Sequence, residues 1–259
     1  IVGGVAPVIA PLVGGLLTAA VGWRGLLAIV LALAILMLVA ILVVVRETHL
    51  KQRRDALRLE RRGASSGARA MLSRTFIGYA ASFGFAFAAM MAYISASPFV
   101  YQDMIGLDTA GYGIAFGINA LALMGTSVVS SKLVATRAVR GVLGAGLIGL
   151  LVAAAGFAAL VVAAAPAALL AVPMFVLSAS LGFVLGNATA LALAAVPRAA
   201  GTGWAVVGAL QFGLAALVSP LVSLGGSTTA APLAVVMLSA AVLAVASFAL
   251  ARPRRPRTT

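Results

Sequence analysis

Two stretches of this chain place aromatic and polar side chains at helical spacing. Tyr79, Phe83, Ala86, Met90, Tyr93 and Ser97 recur at intervals of four and three, an arc of about 80° at 100° per residue. Tyr112, Phe116, Asn119, Leu123, Thr126 and Ser130 share an arc of about the same width in the next such stretch. Rings, a thioether, hydroxyls and one carboxamide do no covalent chemistry in such an arrangement. They stack on flat apolar groups and exchange hydrogen bonds. A wall that is mostly apolar, with a few placed polar groups, is the composition of a ligand site. The alternative is that the polar groups bond neighbouring helices, at roughly 0.6–2 kcal/mol each. Behind the first arc lie Ala81, Gly84, Ala88, Ala92 and Ser95, a small-residue stripe suited to close helix packing.

Catalysis finds no foothold in the composition. Cysteine is absent and His49 is the one histidine, so thiol chemistry, disulfides and a Cys- or His-built metal set are excluded. Neither a metal nor a cofactor is expected. A membrane-embedded enzyme would need nucleophiles, acids or ligands gathered at one depth, and the sequence offers none.

The elements that must position these residues are transmembrane helices. Of 259 residues, 63% are hydrophobic and 9% charged, where a soluble domain carries about 25% charged residues. Residues 25–45, 141–197 and 199–251 contain no charge at all, and roughly 20 apolar residues cross a bilayer core. Charges and turn residues divide the chain into eight apolar segments at about 1–21, 25–45, 75–99, 110–131, 141–165, 168–195, 201–223 and 230–251. Alternating eight spans puts seventeen Lys/Arg on one side and only Arg24 on the other, with Asp103 and Asp108. The basic side is cytoplasmic by the positive-inside rule, which places the C-terminus inside. The net charge of +13 is thereby explained by the membrane, without nucleic acid. Residues 1–45 are read as two helices of one bundle, 46–74 as a basic cytoplasmic linker, 75–251 as a six-helix bundle and 252–259 as a basic tail. The linker is either solvated or a short amphipathic helix on the inner membrane surface.

Further polar groups lie on the later segments. Gly182, Gly186 and Ala190 form a close-packing stripe with Asn187 one residue off it. Trp204, Gly208, Gln211 and Ala215 share a face; Gln211 would extend the ligand wall, while Trp204 either joins it or anchors the interface. Ala10-Pro11-Leu12-Val13-Gly14-Gly15 and Ser219-Pro220-Leu221-Val222, followed by Gly225-Gly226, lie six segments apart, the spacing of a parallel six-helix repeat.

Ala6 to Gly15 resembles the antiporter motif of drug/proton antiporters in the major facilitator superfamily, with Ala at two small positions where that motif has Gly. On that resemblance Ala10, Pro11, Gly14 and Gly15 are the motif residues. Pro11 would bend the helix, and Gly14 and Gly15 would let a neighbour approach closely. The stretch Tyr93-Ile94-Ser95-Ala96-Ser97-Pro98-Phe99-Val100, with Phe116 to Ala120 and Leu185 to Ala192, resembles the Bcr/CflA multidrug efflux transporters. The resemblance implies an all-α major facilitator fold whose eight segments are helices 5–12 of twelve. It implies export of drugs or small amphipathic compounds coupled to protons, from the inner membrane of a bacterium. The same fold exporting one amino acid or sugar is the alternative. No acidic residue lies well inside any segment, so the proton carrier is expected in helices 1–4. Those helices are expected upstream of the present Ile1, since the chain opens inside an apolar run. The expected wall comprises Phe83, Met90, Tyr93, Ser97, Phe116, Asn119 and Gln211.

Topology is testable at once, because a single introduced cysteine is unique in this chain. A cysteine at Asp108 should react with an impermeant thiol reagent added outside intact cells. Protection there, with labelling only after permeabilisation, would reverse the assigned sides.

Overall fold

The computed structural model describes residues 2–44, 70–224 and 229–251; of residues 2–16, 18, 19 and 198 it describes the backbone alone. The expected linker helix, His49, the Gly225-Gly226 pair and the basic tail lie outside the described residues. Every regular element among those described is helical. Helix α1 runs Val2–Val44 and α2 runs Arg74–Pro98, continuing into a π-helical turn at Phe99–Met104. Then follow α3 at Thr109–Leu133, α4 at Val139–Val162, α5 at Ala171–Ala194, α6 at Ala200–Ser223 and α7 at Ala231–Leu250.

Six of the eight predicted segments correspond one to one with α2–α7. The first two are both carried by α1, and the break between them is Gly22. Its φ of 68° and ψ of 175° lie where glycine alone goes without strain. Seven described helices are long and apolar enough to cross a membrane, beginning with Ala20–Val44. That is one fewer than predicted. The difference is the segment before Gly22, which is helical but whose side chains are largely undescribed.

The chain divides into two compact units: Val2–Ser66, and Gly67–Thr259 with Ile1. The second unit contains α2–α7 and is built around α2, which packs on α5, α6 and α7. Helix α5 in turn carries α3 and α4, and α4 closes onto α7. Small residues set these approaches. A Cβ at Gly78 would lie 2.7 Å from the Ser247 carbonyl oxygen of α7. One at Gly182 would strike Thr126 and the backbone of α3. The predicted stripe on α5 is therefore used at Gly182 and not at Gly186, which has open space around it. Of the stripe behind the first arc, Gly84 meets Leu210 and Leu214 of α6 and Ala88 and Ala92 are buried, whereas Ala81 is half-buried and Ser95 exposed.

Side chains cap the helix starts at both membrane faces. Ser73 accepts from the Phe76 N–H at 3.2 Å, and Asp108 accepts from Gly111 at 2.8 Å. Both satisfy donors that helix geometry leaves orphaned. Exposed Asp103, on the same face, makes a labelling position that keeps the Asp108 cap.

The start of α4 holds the bundle differently. Arg140 donates through Nη1 to the Tyr79 hydroxyl and to the Ala251 carbonyl, both at 2.6 Å, and through Nη2 to the Phe248 carbonyl at 3.3 Å. Its guanidinium also lies 4.2 Å from the Phe248 ring centroid. One planar cation thus caps the C-terminus of α7, where the helix dipole favours positive charge, and ties α2 to α4. Lysine lacks the fork needed to reach these acceptors together. Arg140→Ala should cost about 2–3 kcal/mol, read as a lower thermal midpoint of the purified protein, with Arg140→Lys recovering less than half. An Arg140→Ala protein that melts with the wild type would show that the clamp does not hold the bundle.

Candidate functional site

The site begins with a missing hydrogen bond. Pro98 has no N–H to offer the Ile94 carbonyl one turn back. The Ser97 hydroxyl donates to that carbonyl instead, at 2.9 Å. Beyond Pro98 the helix widens into the π turn at Phe99–Met104, a rare form concentrated at functional sites. The turn carries Tyr101, which is 2% exposed, back to α3.

Four aromatic rings then meet between α2, the π turn and α3. Tyr93 stacks on Phe116 at 6.0 Å between centroids with planes 8° apart. Phe116 meets Tyr112 at 5.9 Å, and Tyr112 meets Tyr101 at 6.2 Å, both tilted. Such offset and tilted pairs are the favoured arrangements of ring quadrupoles. Polar groups are threaded through the rings. Asn119 donates through Nδ2 to the Tyr101 hydroxyl at 2.8 Å. Ser97 and Tyr112 share a 3.1 Å hydrogen bond. Since the Ser97 proton goes to Ile94, Tyr112 is the donor.

Two atoms in this cluster have no hydrogen bond: the Tyr93 hydroxyl and Oδ1 of Asn119. Asn119 and Ser178 are polar side chains beside the Tyr93 hydroxyl. Tyr93 is 4% and Asn119 3% exposed, so water in bulk does not reach them. A buried donor or acceptor left unmade costs about 1–3 kcal/mol. The pair comprises one group able to donate and one able to accept.

Of the seven expected wall residues, the structure brings Tyr93, Ser97, Phe116 and Asn119 together. It adds Tyr101 and Tyr112 to them, and Ser178 of α5 nearby. Tyr93, Ser97 and Asn119 are buried within the unit rather than set along an open wall. Phe83 belongs to a separate set: it stacks on Phe87 at 6.2 Å, and Phe87 meets Phe212 of α6 edge-on. Met90 and Gln211 are half-buried. Tyr79, the first member of the arc, goes to the Arg140 clamp. The far end of the α3 arc bonds between helices, with Asn187 donating to Ser130 at 2.8 Å. Trp204 is 56% exposed, as an interfacial anchor would be. Ala10, Pro11, Gly14 and Gly15 are helical in backbone, and their side chains lie outside the described residues. Sequence reasoning misses Tyr101 because the predicted segment ends at residue 99. The signal is the spacing itself: Tyr101, four residues past Ser97, continues the arc at 100° per residue.

Comparison with known proteins agrees with this architecture. Residues 1–220 match the Major Facilitator Superfamily. The chain is 30% identical over 253 residues to "Uncharacterized MFS-type transporter YdgK" of Bacillus subtilis, covering 96% of this chain and 62% of that protein. It is 25% identical over 259 residues to "Bicyclomycin resistance protein homolog" of Haemophilus influenzae, covering 94% of this chain and 61% of that protein. The chain therefore spans less than two thirds of the length of these relatives. With seven helices long and apolar enough to cross a membrane among the described residues and this family match over residues 1–220, the chain is a multi-pass membrane protein of the Major Facilitator Superfamily.

Proposed function

We propose that the chain is part of a Bcr/CflA-type exporter that moves drugs or small amphipathic compounds out across the inner membrane of a bacterium, driven by inward proton flow. The stretch from Tyr93 to Val100 supports this reading, and so does a relative whose printed name concerns bicyclomycin resistance. The observation that carries it is the pair of unbonded atoms, the Tyr93 hydroxyl and Asn119 Oδ1, inside a box of stacked rings. A substrate group able both to donate and to accept would satisfy the two together. Around it, Phe116 and Tyr112 supply flat apolar surface, and no charged side chain selects for an ion.

Alternating access would rock the six-helix unit against a second bundle and open the box to admit the compound. The box itself holds no acid or base suited to the task, so the proton carrier is assigned to the part of its relatives' length that this chain does not span. Both membrane loops rich in arginine would face the cytoplasm, as the positive-inside rule requires.

Tyr93→Phe separates this reading from a purely structural one. It keeps the ring and removes an unbonded hydroxyl, so stability should hold or rise. Export of compounds bearing a hydroxyl or amide should nevertheless fall roughly two- to tenfold, the worth of one hydrogen bond. Asn119→Ala should shift the pattern of exported compounds in the same direction at near-normal membrane abundance. Resistance profiles and vesicle efflux of the full-length protein read both; unchanged profiles per molecule would make these residues packing elements only. Collapsing the proton gradient with an uncoupler should abolish vesicle efflux, and efflux that persisted would refute the coupling.

A further inference from the structure

A groove of about 730 Å³ lies outside the aromatic box, between α4 and α5 and at the end of α3. Its volume is within the range of about 300–1,000 Å³ typical of small-molecule sites. Gly141 and Ala145 of α4 and Ala179 of α5 form its floor, and Phe175 and Phe183 stand as walls. Phe175 and Phe183 alone span about 12 Å of helix rise, so the groove is elongated along the membrane normal. Only one end is charged. Arg137, in the connection before α4, lines the mouth and is exposed. Lys132 in the last turn of α3 lies close in sequence. No acidic residue lines the groove. Helix α4 also begins here without a side-chain cap, which adds the favourable end of its dipole for an anion.

We infer that this groove holds a phospholipid with an anionic headgroup, its acyl chain along α4 and α5 and its phosphate against Arg137. The argument is one of matched chemistry. The occupant must be long and apolar over most of its length and negative at one end, and that end must sit at the membrane surface. A water-soluble anion has no use for the apolar length, and a neutral drug has none for the cation. Arg140, three residues on, does not compete for the headgroup, because its fork is occupied by Tyr79, Phe248 and Ala251. The inference is independent of the transport reading, because it concerns the outer surface of the bundle.

Gly141 offers a clean probe, since a Cβ placed there meets nothing within 4 Å. Gly141→Leu should project into the groove from a position whose Cβ has open space. Gly156→Leu is the matched control further along α4, also with open space. The full-length protein would be reconstituted in nanodiscs of equal phosphatidylglycerol and phosphatidylcholine. It would then be released and weighed by native mass spectrometry. Wild type and Gly156→Leu should retain phosphatidylglycerol in preference, and Gly141→Leu should lose bound lipid of both kinds. Arg137→Gln should keep bound lipid but reduce the preference for phosphatidylglycerol about fivefold, the worth of one basic residue at a membrane surface. Equal retention of the two lipids by wild type, or a preference untouched by Arg137→Gln, would overturn the inference. So would efficient disulfide dimerisation of Gly141→Cys, which would show that a second copy of the chain covers the groove.

Discussion

Within the hydrocarbon layer no water answers a polar group, so each one must be met inside the protein. Much of this structure follows from that demand. Hydroxyls on the helices turn back onto their own backbone: Ser180 onto Val176, Thr189 onto Leu185 and Thr126 onto Ala122. A carboxamide can do this and join helices as well, as Asn187 does by donating to both Phe183 of its own helix and Ser130 of α3. At the membrane face Arg140 meets the same demand for carbonyls that α7 leaves unpaired at its end. Against this background three buried atoms lack a hydrogen bond, the Ser82 hydroxyl, the Tyr93 hydroxyl and the Asn119 oxygen, and the last two belong to one cluster.

Hydrophobic burial cannot choose which helices pair in such a medium, because lipid is as apolar as a leucine side chain. Close approach chooses instead. Gly78 admits α7, Gly84 admits α6 and Gly182 admits α3, and these contacts place α2 and α5 at the centre. The proline that ends α2 acts in the opposite sense. By withholding one donor it frees Ile94, recruits Ser97 and gives way to the π turn. Tyr101, carried on that turn, accepts from Asn119, so the irregular backbone and the side-chain cluster lie side by side.

The two surfaces that follow from this packing have different characters. The box between α2 and α3 is closed, uncharged and aromatic, with polar atoms held in reserve. The groove between α4 and α5 is open along its length and cationic at one end. The first presents stacked rings around two unbonded polar atoms. The second presents small residues between two phenylalanines.

The sequence by itself determined the class and most of the spans. Hydropathy is read along one dimension, and a bilayer imposes a length that the uncharged runs of this chain match, so six of eight segments coincide with α2–α7. Helical periodicity also placed Tyr93, Ser97, Phe116 and Asn119 on facing arcs, because side-chain direction along a regular helix is set by residue number alone. Tertiary structure decided the rest. Tyr79 left its arc because Arg140, 61 residues away, donates to it. Tyr101 joined because helical backbone continues past residue 99, as the π turn, beyond the end of the predicted segment. Phe83 drew away toward Phe87 and Phe212 because α6 happens to lie there. The fate of each polar atom depends on which helix passes within 3 Å of it, and that is a property of how six helices share space, which no single helix encodes.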